Sequence, residues 1–93
     1  METYYYRTGQ WLARRIHKNL LRTTQAQDRG VRQTPFYVLR RSSMRATLVE
    51  VGYVTGAKDA PRLATASYRQ RVAEGIVQGI HRYLDNLARS PVK

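Results

Sequence analysis

Between Met44 and Gly56 the chain reads MRATLVEVGYVTG, a β-prone apolar run with one carboxylate, Glu50, inside it. Leu48, Val49, Val51, Tyr53 and Val54 surround that carboxylate without clean polar–apolar alternation. Such a pattern predicts a strand covered on both faces, lying inside a sheet. An ionised carboxylate is costly to bury unless it is paired, hydrogen-bonded or metal-bound. The chain has only six acidic residues. Glu50 therefore marks a misassigned strand, half of a structural ion pair, or the working part of a site.

The flanking segments favour a sheet with helices on it. ETYYY at Glu2–Tyr6 is strand-prone, and Thr8-Gly9 offers a break with Thr8 as N-cap. From Gln10 to Thr24, Trp11, Leu12, Ile16, Leu20 and Leu21 recur at helical spacing, with Arg14, Arg15, Lys18 and Arg22 on the other side. QAQDRGVRQTP, with Gly30 and Pro35, reads as a loop, and FYVL at Phe36–Leu39 as a short strand closed by Arg40 and Arg41. Asp59 followed by Pro61 resembles an N-cap and first turn leading into a long helix. Val72, Ala73, Ile76, Val77, Ile80, Leu84 and Leu87 form its expected buried stripe, and residues 88–93, ending SPVK, a frayed tail. The order strand, helix, strand, strand, helix predicts an α/β fold, a layered sheet with the helices packed on it.

Ninety-three residues with 42% hydrophobic content allow one small domain with a thin stability margin. Seventeen Lys and Arg give a formal charge of +11, a positive field that favours phosphates, anionic lipids or polyanionic wall polymers without choosing among them. The absence of cysteine removes disulfides and thiolate metal sites. METYYYRTGQ lacks the basic-then-apolar order of a signal peptide, and no apolar stretch is long enough to span a membrane. His17 and His81 form no HExxH pair, and each is expected to be an ordinary helix-surface or core-edge residue. Tyr4-Tyr5-Tyr6 beside basic residues could stack single-stranded nucleic acid, but alternation puts Tyr5 on the face opposite Tyr4 and Tyr6, which favours strand packing.

The run DRGVRQTPFYVLRRSSMRATLVEVGYVTGAKDAPRLATASYRQRVAEGIVQGIHRYL, with the ETYYY strand and basic helix before it, resembles the C-terminal half of the zinc-dependent N-acetylmuramoyl-L-alanine amidases of the amidase_3 type, in particular cyanobacterial members. The resemblance rests on the ordered series D-R-G-V, V-L-R and L-V-E-V-G-Y and covers the chain to about Leu84. It implies a peptidoglycan hydrolase, periplasmic or extracellular, that cuts between the lactyl group and L-alanine. It also implies a zinc held by His, Glu and His and a proton-shuttling glutamate on the L-V-E strand, here Glu50. Arg29 of the D-R-G loop matches a position near the cleft, where it would order the site or touch substrate.

Two departures qualify that implication. The family's zinc ligands lie upstream of the E-T-Y-Y-Y strand, and neither His17 nor His81 matches a ligand position, so no zinc is expected on this chain alone. Arg45 stands where the family commonly has Pro. Residues 1–93 are thus expected to form a single partial domain, related to an amidase and inactive by itself, with an open sheet edge that invites self-association. The alternatives are a small basic module with non-specific nucleic-acid binding, or a catalytically silent binder of wall polymer.

Overall fold

The computed structural model describes residues 1–89. Strand β1, Glu2–Tyr5, runs through a 3-10 turn at Arg7–Gly9 into helix α1, Gln10–Thr24, and returns as β2, Val31–Gln33. β1 and β2 are parallel, with Thr3 opposite Val31, so α1 is the crossover of a βαβ unit. The helix occupies the expected residues because Ile16 and Leu20 bury fully beneath it while Arg14, Lys18 and Arg22 stay in solvent. Trp11, counted on the buried stripe, is instead more than half exposed. Gln25 closes α1 in the left-handed conformation, φ 56°, its N–H donating to Leu21 O at 2.8 Å. At the other end the N-cap is Gly9 rather than Thr8, and no side chain caps the helix. A glycine is required there because a Cβ would overlap the Ala46 carbonyl oxygen.

The second strand is not where local pattern put it. FYVL folds as the one-turn helix α2, Tyr37–Arg40, with the Leu39 and Arg40 N–H groups donating to Phe36 O at 3.0 and 2.9 Å. The strand lies inside the stretch read as a loop. Val31–Gln33 has little β pattern of its own, but the edge of β1 is available to it. The ladder is extended by Thr3 N–H to Gly30 O, 3.1 Å, Arg29 N–H to Met1 O, 2.9 Å, and Thr34 N–H to Tyr5 O, 2.9 Å. Backbone pairing supplies what the side chains do not announce.

β3, Thr47–Glu50, pairs antiparallel with β1 and completes a three-stranded sheet of order β2-β1-β3. The apolar run therefore forms an edge strand and not one covered on both faces: Leu48, Tyr53 and Val54 are exposed, and only Val49 and Val51 reach the core. Residues 51–54 lie beyond the sheet.

The C-terminal helical region is broken in two, α3 at Asp59–Leu63 and α4 at Ala66–Arg89. Asp59 does not cap a helix; its carboxylate accepts the Tyr53 N–H at 3.0 Å. α4 packs chiefly along α1, and its buried face is centred on Tyr68, Gly75 and Gly79, flanked by half-buried Val72, Ile76, Tyr83 and Leu87. Ala73, Val77, Ile80 and Leu84 of the expected stripe face solvent. The glycines explain the rotation. A Cβ on Gly75 would stand 2.9 Å from Leu20 Cα, and one on Gly79 2.8 Å from Ile16 N, so the two backbones approach only because both positions lack one. Thr23 Oγ1 donates to Arg71 O across the same contact at 2.8 Å. Of the expected frayed tail, residues 88 and 89 continue α4, and 90–93 lie outside the described residues.

Candidate functional site

The antiparallel register places Glu50 directly opposite Glu2, and Leu48 opposite Tyr4. Directly opposed residues share a face. Thr3 and Val49 are on the other face, against α1: Thr3 Oγ1 bonds His17 Nδ1 at 2.9 Å, and Val49 packs beside Ile16 and Leu20. Alternation thus puts Glu2, Tyr4, Leu48 and Glu50 together on the face away from α1.

Two carboxylates opposed in this way repel each other. Each is compensated locally. Glu2 Oε2 accepts from Arg32 Nε at 2.8 Å, and Glu2 Oε1 accepts a short hydrogen bond from the Tyr4 hydroxyl. That bond is the main reason the Tyr4 phenol is pushed up to about 12, with burial and then the charges of Glu2 and Glu50 adding to it. Glu50 is half-buried, and its carboxylate is the main reason the nearby Tyr53 phenol is raised above its ordinary value. The Arg29 guanidinium lies 5.5 Å from the Tyr53 ring centroid and pulls that phenol the other way. Tyr53 and Arg29 line a cleft of about 530 Å³ with Lys58, Asp59 and Arg62.

Of the residues singled out in the sequence, Glu50 and Arg29 are therefore brought to the same neighbourhood, joined through Tyr53. Glu2, Tyr4, Arg32 and Tyr53 were not anticipated there. The available signal was the i, i+2 spacing of Glu2 and Tyr4 in a strand; the partnership with Glu50 depends on a register that only the folded chain supplies.

His17 belongs to a different structure. It is buried, with Nδ1 on Thr3 and Nε2 on Asp28 Oδ1 at 2.8 Å, and the Asp28 carboxyl is held below its ordinary range, first by that bond and then by the Gly30 N–H. His81 is exposed on α4. A catalytic zinc needs three protein ligands. Among the described residues no three His, Cys, Asp or Glu side chains are grouped to hold a metal ion. Glu2 and Glu50 have no histidine beside them, and His17 is committed on the opposite face, so the described residues do not fit a zinc site.

What the cluster can do is hold an ionisable carboxylate at a strand end beside a phenol donor and a guanidinium, within reach of solvent. That is an arrangement for taking up and returning a proton.

Comparison with known proteins shows the family. A family profile, Amidase_3, described as N-acetylmuramoyl-L-alanine amidase, matches residues 1–82. The N-acetylmuramoyl-L-alanine amidase LytC of Bacillus subtilis is 38% identical over 87 residues, which are 88% of this chain and 18% of that protein. An uncharacterised protein of the same organism, YqiI, is 40% identical over 74 residues, 80% of this chain and 36% of its own length. Among solved structures, the N-acetylmuramoyl-L-alanine amidase AmiC2 of Nostoc punctiforme superposes with a TM-score of 0.86 and 46% identity, covering 90% of this chain and 47% of that one. The chain thus spans less than half the length of each of these proteins.

Proposed function

Because the chain belongs to the N-acetylmuramoyl-L-alanine amidase family, we propose that it supplies the proton-transfer part of a peptidoglycan amidase site, with Glu50 as general acid–base. The observation that carries this reading is the position of Glu50 at the end of β3, near Tyr53, with Arg29 stacked on that ring. In cleavage of the amide between the lactyl group and L-alanine, Glu50 takes a proton from the attacking water and returns it to the departing L-alanine nitrogen. Tyr53 keeps the carboxylate oriented, and Arg29 is placed to meet the anionic stem peptide.

The family is generally zinc-dependent, and a metal serving this reaction would have to be held by residues other than those described. We therefore read residues 1–93 as the C-terminal part of a catalytic domain that needs a complementing part. The outer edges of β2 and β3 are unpaired among the described residues, and a complementing half, or a second copy, would pair there. Peptidoglycan as substrate places the working protein in the periplasm or outside the cell. No described helix is long and apolar enough to cross a membrane.

The test mixes the chain with the N-terminal half of a related amidase domain and measures release of L-alanine N-termini from purified peptidoglycan. Glu50→Gln keeps the side chain's size and removes the shuttle, and is expected to cost roughly a hundredfold to ten-thousandfold in rate. His81→Gln is expected to change little. A Glu50→Gln mixture that stays near the parent rate, while His81→Gln abolishes activity, would overturn the assignment.

A further inference from the structure

A second concavity, of about 450 Å³, lies away from Glu50. Glu2 and Glu50 mark one end of the β1–β3 pair, and Tyr5 and Thr47 the other. Arg7 follows the first of these by two residues and Arg45 precedes the second by two, so both belong to the far end. There they line the cavity with Arg15, Trp11, Tyr83 and Asn86.

The geometry points to a binding site for a sugar phosphate. Three arginines, Arg7, Arg15 and Arg45, line one cavity whose lining includes no carboxylate, with the Arg7 guanidinium 5.0 Å from the Tyr6 ring centroid beside it. The chain brings two of them together by a close backbone approach, since the Ala46 carbonyl occupies the space a side chain on Gly9 would need. Arg7 is held at φ 61°, a left-handed conformation that a residue with a side chain adopts only under constraint from its surroundings. Arg15 is held at the cavity wall from α1: with the Asn86 amide oxygen turned toward it, that oxygen accepts from Nε and Nη2 at 2.9 Å each. Planar guanidinium forks match the oxygens of a phosphate, and three of them favour a dianion over a single carboxylate. The Trp11 and Tyr83 rings supply flat apolar surface for the body that carries the phosphate. A cavity of this volume suits a small ligand.

Trp11 is the only tryptophan, so its fluorescence reports on this cavity alone. The full chain is titrated with glucose 1-phosphate, glucose, inorganic phosphate and single-stranded oligothymidylate. Glucose 1-phosphate should give a saturable change, inorganic phosphate should compete with it, and glucose should do neither. Arg45→Gln and Arg7→Gln should each weaken binding by at least about fivefold, as expected for a charged hydrogen bond partly screened by solvent. Arg45→Lys retains the charge and should weaken it less. Arg69→Gln, which removes the same charge from α4 outside this cavity, should leave it unchanged. The proposal is overturned if no saturable change occurs or if Arg69→Gln weakens binding as much as Arg45→Gln. It is equally overturned if oligothymidylate binds more tightly with the same arginine dependence, which would make the cavity part of a nucleic-acid surface.

Discussion

The two faces of the small sheet hold different kinds of polar group. On the face against α1, Thr3 and His17 are buried and every ring nitrogen of His17 has a partner, in a chain that ends at Asp28. On the other face Glu2, Tyr4, Arg32 and Glu50 gather with Leu48 left exposed, and two like charges stand opposite each other. The covered face can hold a polar group only by satisfying it completely, because a desolvated donor or acceptor without a partner is expensive. On the other face Glu2 is also buried and is satisfied by Arg32 and the Tyr4 hydroxyl, while Glu50 opposite it is only half-buried. The proton-transfer role proposed for Glu50 falls on this second face.

The sharpest way to break this contrast is on the covered side. Thr3→Val keeps shape and strips the partner from buried His17 Nδ1, and should lower stability by about 1–3 kcal/mol, measured by urea unfolding. On the other side Leu48→Ala removes a larger side chain yet should cost less than Thr3→Val, because Leu48 is 37% exposed. If Leu48→Ala costs as much as Thr3→Val, the face away from α1 is as tightly packed as the other.

The smallest effect is in titration. Tyr4 is raised from 10.0 to about 12, so its contribution to stability is complete below the unfolded value and is lost as pH rises through about 12. Asp28 is lowered from 3.8, so its contribution is present above that value and is lost as pH falls through the folded one. The two faces should therefore weaken at opposite ends of the pH scale. Phenolate absorbance should show late titration of Tyr4 and Tyr53, with the Tyr4 midpoint moving back toward 10.0 in Glu2→Gln; a Tyr4 midpoint unmoved by that change would sever the proposed bond.

Some of this was legible in the sequence. α1 could be bounded from Gln10 to Thr24 because Ile16 and Leu20 repeat at helical spacing and the residues beyond are polar. Glu50 stood out because a lone carboxylate in an apolar run has few affordable explanations, and Arg29 through the family pattern. β2 did not stand out, since Val-Arg-Gln carries no periodicity and becomes a strand by pairing with β1. FYVL misled for the reverse reason: its β propensity is real, yet no strand lies there to pair with it, and it closes into a turn. The α4 stripe was displaced because Gly75 and Gly79, invisible to any hydrophobic count, set the contact with α1.

By itself, then, the sequence determined the family, the basic surface and the helices whose periodicity is internal to a single segment. The tertiary structure decided which residues pair across strands, which face of α4 is buried, and that Glu50 meets Glu2 and Tyr53 while Arg7 meets Arg45 at the far end. The physical reason is range. Helical periodicity is written in neighbours three and four residues apart, whereas register, close glycine contacts and shared charge are properties of segments tens of residues apart that acquire meaning only when the chain brings them together.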